Sequence, residues 1–487
     1  MGFWIALLIL AAVTAALFYL DRDKSARTSS ALWLPVIWLW IIGSRPVSDW
    51  LGIWFGINPV GSAGQGLDAQ LDGSPTDAII FGLLLVAGIA VLYQRKNLVV
   101  PLVRKSGPVL VFFSYCLLSC LWSPFPDVAF KRWVKDIGDL TMVLVIVTDP
   151  QPIEALRRLF FRVGSILMPS SIFLIRYSDI GRQYDPGGGP MNTGVTTNKN
   201  TLGLITFVIA LGALWSFFNL LRAKRRPNRG RQLIARGILL VVCIVVLQEA
   251  RSATSLACFL FGTALILATN LSFFRRSPGR VQTLVLTILI AGAVSIFFGG
   301  ESTVVNALGR DPTTLGDRTV IWAAVIPVCP NRLVGAGFES FWNGYGRFVT
   351  NGLSKYERGL NSAHDGYIEV YLNLGFIGVG LVGMLLISGF RRATSSFRRS
   401  PEVGSLMLAY VATVTIYSIT EAGYRILTPT WMALLLVIVG SQSIALRGGD
   451  QAQKKTSKTA SKAIKHPANS ELAAFGQGNR VKALQSA

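Results

Sequence analysis

His364 is the residue whose type and position best suit acid–base chemistry. It lies in the stretch "NSAHDGYIEVYLNLG" at residues 361–375, where polar and acidic residues directly precede a long apolar run. The second of the two histidines, His466, lies in a basic tail. A histidine side chain exchanges its proton near neutral pH, so His364 could take the proton of a hydroxyl group. We therefore interpret His364 as a candidate general base.

The polar residues that follow His364 are candidates for holding it. Asp365, Glu369 and Asn373 are spaced four residues apart, which places them on one face of a helix. Any of them could orient the imidazole or bind a sugar. Alternatively, Asp365 favours the amino terminus of the helix. Because Asp365 or Ser362 would make the better helix cap, capping does not account for His364.

Arginines form a second group of candidates, with Arg251 as the most informative. It stands in "VVLQEARSATSLACFLFG", between two apolar runs that have almost no loop between them. A charge at a membrane edge is costly unless it faces the interior of a bundle or a wet cavity, and it usually marks function. The alternatives are an arginine that extends outward to water or one that pairs with Glu249.

Three further arginines lie in polar connections. Arg176 occurs in "IRYSDIGRQYD", and Arg310 and Arg318 occur in "LGRDPTTLGDRTVIW", where ion pairs with Asp311 or Asp317 are an alternative. A guanidinium group stays charged and bonds phosphate oxygens two at a time. Together with Arg251, these residues predict a polyanion site.

A metal site is not expected. The chain has one useful histidine, no cysteine cluster in a polar connection, and no Asp-x-Asp, since Asp68 and Asp72 are four residues apart. The five cysteines imply no disulfide framework. A glycine-rich nucleotide loop is also missing, and we expect no cofactor.

The composition predicts the elements that must position these residues. Apolar residues make up 51% of the chain and charged residues 15%, against about a quarter in soluble proteins. Apolar runs of about 17 to 25 residues recur, long enough to cross a bilayer, and backbone in lipid must be helical or in a closed barrel. We predict an all-α polytopic membrane protein with about twelve or thirteen transmembrane helices. The predicted runs are about 2–20, 31–51, 77–93, 107–122, 136–149, 158–175, 201–221, 233–248, 252–272, 281–298, 367–390, 403–420 and 427–446.

The charge distribution predicts the orientation of these helices. The net charge of +22 is concentrated in alternate connections, which is the positive-inside pattern, and this argues against nucleic-acid binding. The remaining connections then face outward, and His364 lies near the end of the largest of them. We expect a membrane domain over 1–446, a large periplasmic loop at 299–366 within it, and a basic, disordered cytoplasmic tail at 447–487.

Five stretches together resemble one protein family. They are "GVTTNKNTLG" (194–203), "EARSATSL" (249–256), "LGRDPTTLGDRTVIW" (308–322), "LVGAGFESFW" (333–342) and "NSAHDGYIEVYLNLGFIGVG" (361–380). In order and spacing they resemble the bacterial O-antigen ligase and polymerase superfamily, closest to its exopolysaccharide polymerase branch. The resemblance covers about residues 105–440.

The resemblance implies a metal-independent, inverting glycosyltransferase of the membrane (GT-C-like) type. Such a protein takes glycan from undecaprenyl pyrophosphate at the periplasmic face of the inner membrane and passes it to a glycan acceptor. The catalytic residues of the family fall on His364, Arg251 and Arg318. The family often has histidine before "KN", where this chain has Asn198, so a catalytic role of that turn is in doubt.

The remaining candidates are assigned to substrate binding. Lys199 and Asn200 could bind phosphate or sugar, and Glu339 in "GFESFW" could bind sugar or pair with an arginine. The full set of candidate substrate-binding residues is Arg176, Lys199, Asn200, Arg310, Glu339, Asp365 and Glu369.

Two rival functions stay open. A ligase would move the glycan to a lipid A core with the same donor and chemistry. A transporter or flippase of lipid-linked oligosaccharide would place its charges near the bilayer midplane in repeated halves, whereas here they gather at the outer edge. A chain-length regulator and a flippase are candidate partners of the polymerase.

Overall fold

A computed structural model of the chain describes most of the membrane domain. The described residues are 2–23, 27–56, 74–184, 189–223, 228–276, 279, 280, 283, 287, 313–350 and 362–441. The tail at 447–487 with His466, the candidate Arg310 and nearly all of the predicted run 281–298 lie outside the described residues.

Helices dominate the described part of the chain, so the predicted all-α class is confirmed. The first half contains α1 (Gly2–Asp21), α2 (Trp33–Ile42), α3 (Val47–Phe55), α4 (Pro75–Gln94), α5 (Lys96–Lys105), α6 (Gly107–Ser119), α7 (Pro126–Val147) and α8 (Pro152–Tyr177). The second half contains α9 (Lys199–Arg222), α10 (Arg229–Ala250), α11 (Ala253–Ala268), α12 (Ser272–Arg276), α13 (Thr313–Val325), α14 (Tyr345–Thr350), α15 (Gly366–Arg399), α16 (Pro401–Thr420) and α17 (Pro429–Ser441).

Within the described residues, extended structure is confined to one hairpin between α8 and α9. Strand β1 (Arg182–Tyr184) pairs antiparallel with β2 (Pro190–Asn192). Arg182 stands opposite Asn192 in the register, and Gln183 stands opposite Met191.

Seven of the described helices are long and apolar enough to cross a membrane, and these are α1, α4, α8, α9, α10, α15 and α16. Two further pairs are bent, by 72° between the segment ending in α2 and α3, and by 83° between α5 and the segment beginning with α6. Counting each pair as one span gives nine, and α11 and α17 are shorter apolar helices. The chain is therefore a multi-pass membrane protein, while the count of twelve or thirteen stays a prediction.

Helix α7 explains why the run 136–149 looks irregular in the sequence. Arg132, Asp136 and Asp139 share one helical face, and all three are buried. The indole nitrogen of Trp38 donates to Asp139 Oδ1 at 2.7 Å, and that of Trp431 donates to Asp136 Oδ1 at 2.6 Å. The polar face of α7 therefore lies inside the bundle, where neighbouring helices supply its hydrogen bonds.

The two ends of the bundle differ in what they hold. We call the end where α9 and α15 begin and α16 ends the site end. At the opposite end, Arg157 pairs with Glu154 at 2.6 Å and with Glu402, and Arg236 pairs with Asp21 at 3.2 Å. Both arginines are buried, and their ion pairs join α8 to α16 and α10 to α1.

A break in α15 positions the loop that precedes it. Gly375 has φ of 65° and ψ of −167°, and a Cβ there would lie 2.2 Å from the backbone of Leu333. Only glycine adopts this conformation readily and allows so close an approach. Beside the break, the Phe376 amide donates to Arg332 O at 2.9 Å and the Ala336 amide donates to Leu372 O at 3.0 Å. The loop carrying Glu339 is thereby fixed against α15.

Candidate active site

A cavity of about 450 Å³ lies at the site end, and we call it the site cavity. Its apolar lining residues include Ile41, Ile42, Phe81, Ile426 and Leu427. Its polar lining residues include Asp77, Lys135, Asn198, Lys199, Asn200, His364, Glu421 and Arg425. The cavity therefore suits a ligand with an apolar part and a charged part.

Glu421 joins three candidate residues from distant parts of the chain. Its Oε2 lies 3.2 Å from Nδ1 of His364, and its Oε1 lies 3.0 Å from Nη2 of Arg318. The side-chain amide of Asn200 donates to the same Oε1 at 2.9 Å. Arg318 also donates to the carbonyl of Thr420. One carboxylate thus receives hydrogen bonds from segments up to 221 residues away.

The contact with Glu421 selects one tautomer of His364. A carboxylate accepts hydrogen bonds, so Nδ1 carries the proton and Nε2 is left as the basic atom. The side chain of His364 is one-third exposed and lines the site cavity. The imidazole can therefore accept a proton from a group bound there.

The backbone turns sharply to present His364. Its φ is 49°, in the left-handed region that few residues other than glycine adopt. Ser362 Oγ accepts from the His364 amide at 3.1 Å, and Asp365 Oδ1 accepts from the amides of Tyr367 and Ile368 at 2.8 Å each. Asp365 is thus the amino-terminal cap of α15, and its contacts help to hold the turn.

Asp365 is also an unusual acid. Burial raises its pKa to about 6, although the two amide hydrogen bonds and the charge of Arg318 act in the opposite direction. The cap therefore takes up a proton in a range where ordinary aspartates stay ionised.

Glu369 holds the segment that precedes His364. It is 2% exposed, and its two oxygens accept from the indole of Trp342 at 2.6 Å and the amide of Ala363 at 2.9 Å. These bonds attach the segment before His364 to α15. Glu369 does not line the site cavity.

Glu339 holds Arg425, which lines the site cavity. Oε2 of Glu339 accepts from Nε and Nη2 of Arg425 at 3.3 Å each, and Glu369 lies 3.9 Å away. Burial alone would lower the pKa of Arg425, but the charges of Glu339 and Glu369 raise it. Arg425 therefore stays a fixed cation at the cavity wall.

The first turn of α9 supplies a place for an anion. Asn198 caps this helix by accepting from the Thr201 amide at 2.8 Å, and residues 198–201 line the site cavity. Lys199 lines it too, and makes no hydrogen bond or ion pair with any described residue. A helix amino terminus beside a lysine attracts negative charge.

Arg251 and Arg176 lie outside the site cavity. Arg176 pairs with Glu249, which also accepts from Asn192 at 2.7 Å, so the predicted alternative of an Arg251–Glu249 pair is not formed. Arg251 is exposed, with φ of 48°, where α10 ends. It stays at the site end, because the nearby Thr254 contacts Thr420 at 3.0 Å.

The sequence interpretation does not mention Glu421, and it counts Arg425 only among the arginines of the outward face, although both lie at the centre of the described site. The available signal was a glutamate and an arginine four residues apart in a short connection between two apolar runs. Such a pair looks like any loop ion pair. Only the structure shows that the two residues bind different partners.

Comparisons with known proteins agree with this architecture. Residues 236–383 match a family model described as O-antigen ligase. The chain is also similar to the exopolysaccharide production protein ExoQ of Rhizobium meliloti (strain 1021), with 23% identity over 296 residues. The alignment covers 57% of this chain and 63% of that relative, so the chain spans less than two thirds of the relative's length. These two matches support the resemblance to the O-antigen ligase and polymerase superfamily that the five motifs predict.

Proposed function

We propose that the protein is a membrane glycosyltransferase that joins glycan units carried on a polyprenyl pyrophosphate. The observation that carries the proposal is the convergence of His364, Arg318 and Asn200 on Glu421 at the wall of a half-apolar cavity. A base, fixed cations and an apolar surface are the groups that this donor would need.

In the proposed reaction, a hydroxyl of the acceptor glycan attacks the anomeric carbon of the donor. His364 Nε2 takes the hydroxyl proton as the new glycosidic bond forms. The bond between the anomeric carbon and the pyrophosphate oxygen breaks, and the electron pair leaves with the polyprenyl pyrophosphate. Attack opposite the leaving group inverts the anomeric configuration.

Fixed positive charge would stabilise the leaving group, because the departing pyrophosphate gains charge as the bond breaks. Lys199 and the first turn of α9 are the groups in the cavity wall that suit it best. Arg318 is bound to Glu421, and we assign it to holding that carboxylate while adding positive charge to the site. Arg251 and Arg176 lie beyond the cavity, where we propose that they bind the donor or acceptor outside the reacting centre.

The proposal includes the orientation of the protein in the membrane. The basic connections predict that the site end faces the periplasm and that the protein lies in the bacterial inner membrane. A lipid-linked donor would then reach the cavity from the membrane, with its prenyl chain against the apolar lining residues. A chain-length regulator and a flippase remain candidate partners.

The test is glycosyl transfer by the purified full-length protein with a synthetic polyprenyl-pyrophosphate oligosaccharide. We expect His364→Ala to lower kcat by about 100- to 10,000-fold, as loss of a general base does. His466→Ala is the matched control and should leave the rate unchanged. An His364→Ala enzyme as active as the wild type would refute the assignment.

The identity of the acceptor distinguishes a polymerase from a ligase. The name of the relative, an exopolysaccharide production protein, favours polymerisation over transfer to lipid A core. With repeat units as the sole substrate, a polymerase yields longer glycan, whereas a ligase requires added core lipid. Transfer in detergent, where there are no two compartments, would exclude a transporter.

A further inference from the structure

A second cavity lies against the carboxyl-terminal half of α15, away from the site end. It is a groove of about 600 Å³ on the outside of the bundle, lined by Pro108, Gly380, Gly383, Met384, Ile387 and Arg391 among others. We call it the glycine groove. None of its lining residues belongs to the candidate active site, and the inference below does not depend on the proposed function.

The floor of the glycine groove is open. A Cβ added at Gly380 or Gly383 would meet no atom within 4 Å, whereas one at Gly375 would lie 2.2 Å from the backbone of Leu333. Packing against another part of the described protein therefore explains Gly375 but not Gly380 or Gly383. The two glycines leave a channel beside the apolar side chains of Pro108, Met384 and Ile387.

One end of the groove is strongly basic. Arg392 donates to Ile438 O at 2.7 Å and to Lys105 O, which ties this part of α15 to the junction of α5 and α6. Arg391, Arg104 and Lys105 are exposed, and their side chains make no hydrogen bond or ion pair with a described residue. Arg391 thus lines the groove as a cation without counter-charge, and the contact of Arg392 with Lys105 O brings the basic end of α5 close to it.

The neighbouring helix α5 indicates where the membrane surface lies. It has no buried residue, it is basic at its end, and it is bent by 83° from the segment that follows it. A short amphipathic helix of this kind lies along the boundary between headgroups and hydrocarbon. Arg391 is held near that level by the neighbouring contact of Arg392 with Lys105.

The length of the groove fits one leaflet. The roughly eleven residues from Gly380 to Arg391 span about 16 Å of helix. Half of a hydrocarbon core is about 15 Å. A chain starting at the level of Arg391 would therefore end near the bilayer midplane at Gly380.

We propose that the glycine groove binds one anionic glycerophospholipid. An acyl chain lies over Gly380 and Gly383, and the phosphate and acidic headgroup contact Arg391, with Arg104 and Lys105 as further cations. The groove gives the site its shape, and the unpaired arginine gives it a preference for negative charge.

Native mass spectrometry of the detergent-purified full-length protein tests this proposal, with phosphatidylglycerol and phosphatidylcholine of identical chains as probes. We expect tighter binding of phosphatidylglycerol, and Arg391→Ala should weaken it about fivefold, the contribution of one basic residue near a charged membrane surface. Arg398→Ala is the matched control, an exposed arginine farther along α15 that does not line the groove. Equal binding of the two lipids by the wild type, or an Arg391→Ala protein that binds like the wild type, would overturn the proposal.

A second variant tests the channel itself. Gly383→Leu fills the groove and should weaken both lipids, while Gly82→Leu on α4, where a Cβ also meets no atom within 4 Å, should not. Glycerol phosphate, which has no acyl chain, should fail to compete. Competition by glycerol phosphate, or unchanged binding by Gly383→Leu, would contradict a lipid site.

Discussion

At the scale of single residues, Glu421 is the centre of the described site because all of its partners are donors. His364, Arg318 and Asn200 each present N–H groups to its two oxygens. A glutamine at this position would turn one of those oxygens into an amide that faces a donor. The orientation of the imidazole would then be lost even though the size of the side chain is unchanged.

We therefore expect Glu421→Gln to lower kcat by up to about 100-fold, the effect of a small misplacement of a catalytic group. The matched control is Glu249→Gln, a carboxylate at the same end of the bundle that pairs with Arg176 outside the cavity. Steady-state kinetics of both variants checks this. If the two variants lose the same activity, Glu421 has no special role.

Asp365 links the site to pH. Since burial raises its pKa to about 6 from the usual 3.8, the folded state binds the proton more tightly than the unfolded state. The stabilisation from this proton is present at low pH and is lost as pH rises through about 6. Asp365→Asn still caps the helix but cannot titrate.

The melting temperature of Asp365→Asn should therefore change less than that of the wild type between about pH 7 and about pH 5. Asp179→Asn is the control, since Asp179 is exposed and pairs with Arg182 on the surface. A wild-type pH dependence in Asp365→Asn would show that this carboxyl does not carry the effect.

At the scale of elements, α7 holds the segment that carries Glu421 and Arg425. Asp139 Oδ2 accepts from the amide of Leu427 at 2.9 Å, while its Oδ1 accepts from Trp38. Leu427 has a φ of 55°, so the segment is strained where it meets α7.

Asp136 differs from Asp139, because its Oδ2 is buried without a hydrogen-bond partner among the described residues.

This difference predicts opposite outcomes for two matched variants. Asp136→Asn keeps its bond from Trp431 and should leave kcat unchanged. Asp139→Asn replaces an oxygen that a donor needs, so it should lower kcat, and adding Trp38→Phe should restore much of the loss by removing the opposed donor. Kinetics and melting temperatures of the three proteins check this, and equal losses for both single variants would contradict it.

At the scale of the whole molecule, the two ends of the bundle should face different compartments. Arg251 is exposed at the site end, and Arg104 is exposed at the opposite end. Four of the five cysteines are buried, and Cys329 is partly exposed, so a Cys329→Ser background suits labelling.

In intact cells, a membrane-impermeant maleimide should label Arg251→Cys in that background and should label Arg104→Cys only after the membrane is opened. The reason is that basic connections are retained on the cytoplasmic side during insertion. The reverse pattern would place the candidate active site in the cytoplasm and would refute the proposed donor route.

The sequence by itself determined the class of the protein, since apolar runs and the placement of charges depend on local composition. It also singled out His364, because a histidine exchanges its proton near neutral pH, and Arg318, because the family resemblance implies a catalytic residue there. The bounds of irregular apolar runs were harder to predict. The run 136–149 belongs to a helix that begins at Pro126, because its buried polar face, which Trp38, Trp431 and Leu427 bond, does not look apolar in the sequence.

Only the tertiary structure decided which polar residues act together. It made Glu369 a support for the segment before His364 and Glu249 the partner of Arg176, and it made Glu421 the residue to which His364 and Arg318 both bind. These contacts of Glu249 and Glu421 join residues 57 to 103 apart along the chain. The local sequence does not determine such contacts. The residues around a carboxylate in a short loop are the same whichever donors the packing of the helices brings to it.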